Sequence, residues 1–191
     1  MHKTEKKARK IIFVTGNEGK FREVRDILAA RGYEVIQNTD GYPELQEEEL
    51  EPIAAYGALW AAGKLGMPVM VDDSGLFINA LNGFPGPYSA FVEKNLGNKR
   101  VLKIMEDEND RSAVFKSVIG YCEPGAEPLT FTGTVEGKIA FEELGTGGFG
   151  YDPIFDYNGM TFGELSDVEK NKVSHRRRAL DKFLEWLDYE D

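Results

Sequence analysis

Apolar residues along the chain fall into short runs with two different periods. Ile11-Ile12-Phe13-Val14 is a continuous apolar run of strand length, the pattern of a strand buried on both faces. Beyond the turn Gly16-Asn17-Glu18-Gly19 the spacing changes. Phe21, Val24, Ile27 and Leu28, extended by Arg31, mark one face of a helix that Gly32 is expected to end. Glu34-Val35-Ile36-Gln37 then reads as a second strand, and strand–loop–helix–strand predicts a parallel βαβ unit. An acidic connection from Tyr42 to Glu51 leads into a helix expected from about Ile53 to Leu65. Val69-Met70-Val71 is a further buried strand, expected to end at Asp72-Asp73-Ser74-Gly75. Asn82 to Pro87 reads as a rigid loop, followed by two short helices, the second around Asn98 to Met105.

The period then changes to two. Ala113, Phe115, Ile119 and Tyr121 alternate along one strand. Leu129, Phe131, Val135 and Ile139 alternate with polar residues along the next, and Glu123-Pro124-Gly125-Ala126 makes the pair a hairpin. At about 3.4 Å per residue each strand spans roughly 35 Å, long enough to be the spine of the sheet. A closing helix, capped by Ser174, carries Leu180, Phe183, Leu184 and Leu187 on one face. The predicted class is α/β with a mixed sheet. One domain is expected over 11–191, preceded by a flexible, basic N-terminal tail over 1–10.

Composition narrows the functional classes. The 191 residues carry a net charge of −10, which argues against an extended nucleic-acid-binding face but leaves room for a small polyanion at a local basic cluster. A single cysteine, Cys122, excludes a disulfide framework. Two histidines, His2 and His175, leave an oxygen-ligated ion such as Mg²⁺ as the metal to expect. No apolar run approaches membrane length, and the basic N-terminus leads into too short an apolar run for a signal peptide. A cytoplasmic location is the expectation.

Four segments carry candidate chemistry. Thr15-Gly16-Asn17-Glu18-Gly19-Lys20 follows a strand and opens a helix, where backbone N–H groups and the helix dipole favour a phosphate, with Lys20 adding a mobile charge. It lacks the Walker spacing, since Phe21 stands where a hydroxyl would be. Asp72 and Asp73 stand at an expected strand end, either as metal-binding carboxylates or as turn caps. Both can reach one ion only if the strand stops there, because successive residues face opposite sides. Glu44 could add a carboxylate or be a solvated acid among its acidic neighbours. Gly147-Gly148-Phe149-Gly150-Tyr151-Asp152-Pro153 places an aromatic ring between glycines that leave its faces uncrowded, so Phe149 either stacks on a flat ligand or plugs the core. Lys170 to Arg178 gathers cations at a helix start, where the dipole disfavours them unless an anion binds.

Thr15-Gly16-Asn17-x-x-Lys20, Asp72-Asp73-Ser74-Gly75, Gly83-x-Pro85-Gly86-x-Tyr88-Ser89, Gly148-Phe149-Gly150-Tyr151-Asp152-Pro153 and Glu169-Lys170-x-x-x-Ser174-His175-Arg176 occur in this order. Together they resemble the inosine triphosphate pyrophosphatase family, over about Ile11 to Leu187. The resemblance implies an elongated, two-lobed α/β fold around a long twisted mixed sheet, with the active site in the cleft, and a homodimer. It implies Mg²⁺-dependent hydrolysis of the non-standard purine nucleoside triphosphates ITP, dITP and XTP to the monophosphate and pyrophosphate. On the matching motifs, Thr15 to Lys20 would hold the triphosphate. Glu44 and Asp73 would bind Mg²⁺, with Asp73 and Lys20 catalytic and Ser74 beside them. Phe149 would stack on the base, with Gly150, Tyr151, Asp152, Lys170, His175 and Arg176 around the nucleotide. Some members carry a substrate-contacting lysine on the helix after the acidic connection, whereas here Tyr56 to Ala62 carries none before Lys64. The related septum-inhibitor-type pyrophosphatases, which act on modified pyrimidine triphosphates, and a non-enzymatic nucleotide-binding module are the alternatives.

Overall fold

The structure, a computed structural model, describes residues 9–190. β1 (Arg9–Val14), α1 (Glu18–Ala29) and β2 (Tyr33–Asn38) form the expected unit, with β1 and β2 parallel and in register from Arg9↔Tyr33 to Val14↔Asn38. Arg9 and Lys10 therefore belong to a strand and not to the tail, whose remainder, 1–8, lies outside the described residues. α2 (Leu50–Leu65) starts earlier than expected. Pro52 falls in its first turn, where a missing N–H costs nothing, so the helix absorbs the end of the acidic connection.

β3 is the principal departure from expectation. It runs from Val69 to Ile78, straight through Asp72-Asp73-Ser74-Gly75, and pairs with β5 (Ser112–Cys122) along its whole length. β4 (Pro85–Gly86) pairs its far end, and α3 (Ser89–Ile104) breaks at Gly97, giving the two short helices expected there. β6 (Leu129–Ile139) completes the hairpin with β5, and β7 (Phe155–Tyr157) and β8 (Met160–Thr161) extend the edge. α4 (Asp167–Val173) and α5 (His175–Glu190) close the chain. The order β2-β1-β3-β5-β6-β7-β8 makes one mixed sheet, parallel on the β1 side and antiparallel beyond β3.

Alternation along β3 assigns its two faces. Met70 packs with Phe13, Ile119 and Leu180 under α1 and α5, whereas Val69 and Val71 pack with Ala54, Ala58 and Val118 against α2. Leu76 and Ile78 join a third cluster with Phe115, Phe155 and Phe162 towards the β7 end. β5 departs from the half-buried pattern for the same reason: α2 covers its second face, and Ser117 to Cys122 are all buried. Between these clusters, at the centre of β3, lie four consecutive non-apolar residues. They mark where the packed halves part.

Candidate active site

Because β3 continues, Asp72 and Asp73 face opposite sides. Asp72 points towards α1 and α5, where the Arg176 Nε donates to its Oδ2 at 2.8 Å, the Ser117 hydroxyl to its Oδ1 at 2.6 Å, and the Lys20 ammonium lies 3.4 Å away. Burial alone would raise its pKa, but Arg176, Lys20 and the Ser117 hydroxyl outweigh burial and hold it well below the usual carboxylate range. Asp73 points towards α2. Its Oδ2 accepts a 2.9 Å hydrogen bond from the Tyr42 hydroxyl, and burial, with Asp72 and Glu44 nearby, pushes its pKa up to about 6 despite Lys20 and Tyr42. Burial beside Asp73 also pushes the Tyr42 phenol up, so it stays a neutral donor. Neighbouring carboxylates are thus driven apart, one permanently ionised and one able to take a proton.

The α1 start behaves as expected of an anion site. Asn17 caps the helix through Oδ1, which accepts from the Lys20 N–H, and its own N–H is taken by the Thr15 hydroxyl. The N–H groups of Gly16, Glu18 and Gly19 have no protein partner among the described residues. Lys20 turns inward to donate to the Asp72 carbonyl at 2.8 Å. The Glu18 side chain turns away and accepts from Gln37.

The cationic segment is not a single helix start. Lys170 and Lys172 lie in the last turn of α4, where the dipole favours them. Ser174 ends α4 and accepts from the Arg177 N–H of α5. Of the cations that do begin α5, Arg177 bonds Asp181 and Arg178 bonds the Thr134 carbonyl, both away from the cleft. Arg176 is 1% exposed and is held between Asp72 and Glu23, so the compensating anions belong to the chain. Burial opposes the charge on Glu23, but Arg176 and Lys170 carry its pKa down to about 2. His175 stacks on Phe115 at 4.6 Å, and burial followed by Arg176 pushes its pKa down to about 3. It is neutral, and its Nδ1 is buried with no partner among the described residues.

Phe149 is half-buried, and its ring is more constrained than flanking glycines suggest. The Lys170 ammonium sits 4.4 Å from the ring centroid, and the ring packs so closely on Gly19 that a Cβ there would come within 2.5 Å of it. Asp152 Oδ2 holds the loop by accepting from the Phe149 N–H and from Lys170, both at 2.7 Å. Gly148, at φ +70°, is required here, because a Cβ would meet that oxygen at 2.0 Å.

Two cavities result. One, of about 310 Å³, is lined by Phe149, Gly150, Tyr151, Asp152, Lys170, His175 and Arg176 with Asn17, Lys20 and Ser74. The other, of about 280 Å³, is lined by Thr15, Gly16, Asn17, Lys20, Glu44, Asp73 and Ser74. They share Asn17, Lys20, Ser74 and Ala90, forming one long cleft with an aromatic end and a carboxylate end. Of the sequence-predicted residues, only Glu18 and Gly19 do not line it. Sequence reasoning missed Glu23, Tyr42 and Ser117. Two of the three left a signal: Glu23 is a charge on the buried stripe of α1, and Ser117 is the polar gap in the alternating series of β5.

The sequence model of the Ham1 family matches residues 11–186. The chain belongs to the Ham1 family. It is 78% identical over 178 residues to a dITP/XTP pyrophosphatase of Methanosarcina mazei, covering 93% of this chain and 97% of that one. It is 41% identical over 179 residues to an inosine triphosphate pyrophosphatase of Tuber melanosporum, covering 93% and 96%. Among solved structures, a HAM1 protein from Coxiella burnetii superposes with a TM-score of 0.83 at 35% identity, covering 95% of this chain and 99% of that one. The Ham1 fold thus agrees with the mixed α/β sheet observed.

Proposed function

We propose that this Ham1-family chain hydrolyses the non-standard purine nucleoside triphosphates ITP, dITP and XTP to the nucleoside monophosphate and pyrophosphate. The observation that carries this is the single cleft, which joins an aromatic, cation-lined end to an end with the Gly16 amide, Lys20 and the carboxylates of Asp73 and Glu44. The names borne by its relatives in Methanosarcina and Tuber support the same substrate class.

The carboxylate end suits Mg²⁺. Among the described residues no three acidic, histidine or cysteine side chains gather as a metal cage, but Asp73 and Glu44 line one cavity. Mg²⁺ in nucleotide sites commonly takes one or two carboxylates and completes its shell with phosphate oxygens and water. Asp73 and Glu44 would hold the ion, which when bound neutralises phosphate charge and makes water more acidic. Asp73, with its pKa at about 6, is ionised at neutral pH yet basic enough to accept a proton from attacking water. Attack at the α-phosphorus expels pyrophosphate, whose charge Lys20 and the Gly16 amide at the start of α1 receive.

At the other end, Phe149 stacks on the base, its ring fixed by Gly19 and Lys170. His175 lines this end with its ring, and Arg176 presents a guanidinium fixed by its carboxylates. A purine with a 6-keto oxygen satisfies such donors. The 6-amino group of adenine leaves them unpaired, at about 1–3 kcal/mol for each. The same proposal includes a cytoplasmic location and a homodimer, and light scattering on the purified protein checks the dimer. Assaying ITP for pyrophosphate, with and without Mg²⁺, tests the activity. Orthophosphate as product, or no turnover, would overturn it.

A further inference from the structure

Asp73 stands on the α2 side of β3, where the helix carries no lysine before Lys64 and where Lys20 is drawn away to the carbonyl and carboxylate of Asp72. Among the described residues, the one side chain that bonds the Asp73 carboxylate is Tyr42, through a 2.9 Å hydrogen bond to Oδ2. Tyr42 comes from the connection between β2 and α2, and its ring lies directly on α2 at Gly57. A Cβ at that position would stand 2.5 Å from Cε2 and 2.7 Å from Cζ, closer than packed atoms come. Any side chain at 57 would therefore push the ring, and its hydroxyl, off Asp73.

We propose that Tyr42 is a positioning residue for the reaction, holding one oxygen of Asp73 so that the other faces the cleft, and that Gly57 is the vacancy in α2 that lets it do so. This rests on the function proposed above. A carboxylate on a single terminal torsion has a broad rotational well. Fixing Oδ2 converts it into a directed group, and the hydroxyl does this without bringing a second positive charge beside the ion. Partners of this outer kind typically alter activity about 10–100-fold when removed.

The test compares wild type, Tyr42→Phe, Gly57→Ala and the double variant, measuring pyrophosphate release from ITP with Mg²⁺. Calorimetry with a non-hydrolysable α,β-methylene ITP supplies a readout independent of turnover. Tyr42→Phe is expected to lower kcat about 10–100-fold, with KM, analogue Kd and melting temperature nearly unchanged. Gly57→Ala is expected to reproduce that loss, and adding it to Tyr42→Phe should cost less than about twofold more, since both act through one hydroxyl. If Tyr42→Phe retains more than about half of wild-type kcat, if its KM and Kd rise in step with the loss, or if the two losses multiply, the inference is overturned. Should Tyr42→Phe melt more than about 5 °C lower, Gly57→Ala alone decides, with the same expected and overturning results. Wild type inactive on ITP refutes the proposed function and this inference together. Active wild type with active variants refutes only the inference.

Discussion

Replacing Arg176 with alanine probes the charge network that shapes the cleft. The guanidinium, 1% exposed, is bonded to Asp72 at 2.8 Å, to Glu23 at 2.5 Å and to Ser74 at 3.3 Å. Alanine leaves two buried carboxylates with Lys20 and Lys170, at 3.4 and 3.7 Å, as their cationic partners among the described residues. Breaking a buried pair typically costs about 3–5 kcal/mol, because the remaining charge is uncompensated. For a chain of this size that is a fall in melting temperature of roughly 6–20 °C. The pH dependence is the sharper signature. In the wild type Asp72 and Glu23 have pKa values below those of the unfolded chain, so they add stability that is present above the unfolded carboxylate range and lost as pH falls through the folded values. In the variant, burial without the guanidinium raises both values, so the penalty is largest near neutrality and is relieved as the carboxylates take protons. Thermal melts at pH 7 and pH 4 are expected to show a gap between the two proteins that narrows on acidification. Arg178→Ala, an exposed control whose one hydrogen bond among the described residues goes to the Thr134 carbonyl, should lose less than about 1 kcal/mol. A loss below about 1 kcal/mol for Arg176→Ala, or a gap independent of pH, would refute the assigned network.

Three further outcomes follow from the site. Asp73→Asn is expected to lower kcat about 10²–10⁴-fold while ITP still binds, and retention of a tenth of the activity would contradict its role. In the wild type at limiting Mg²⁺, turnover should fall as pH drops through about 6, where Asp73 gains its proton, and a flat profile from pH 7 to 5 would count against it. Phe149→Ala should weaken ITP binding by about 1–3 kcal/mol. Its stability loss should stay below the roughly 3–5 kcal/mol of a buried phenylalanine, and melting curves run beside titrations separate the two effects.

Local periodicity made much of this fold legible. The βαβ opening, the β5–β6 hairpin and α5 are written in apolar spacing, which each segment carries by itself. The residues of the cleft were legible through short motifs, since turns and helix starts are also local. What escaped depends on partners far along the chain. Asp72-Asp73 reads as the end of a strand, because charges interrupt buried strands unless they are paired. Here the pair for Asp72 is Arg176, 104 residues later, so β3 continues. The lysines before Ser174 look like part of one basic helix start until the break assigns them to the favourable end of α4. Tyr42 and Gly57 carry no signal separately: their meaning lies in one ring resting on one missing side chain.

A nucleotide panel assayed with Mg²⁺ at pH 7.5 for both pyrophosphate and orthophosphate decides whether the cleft does what is proposed. ITP, dITP and XTP are expected to give the monophosphate and pyrophosphate, with kcat/KM at least about tenfold above ATP, dTTP and UTP. Release of orthophosphate, or ATP or dTTP turned over as well as ITP, would contradict it.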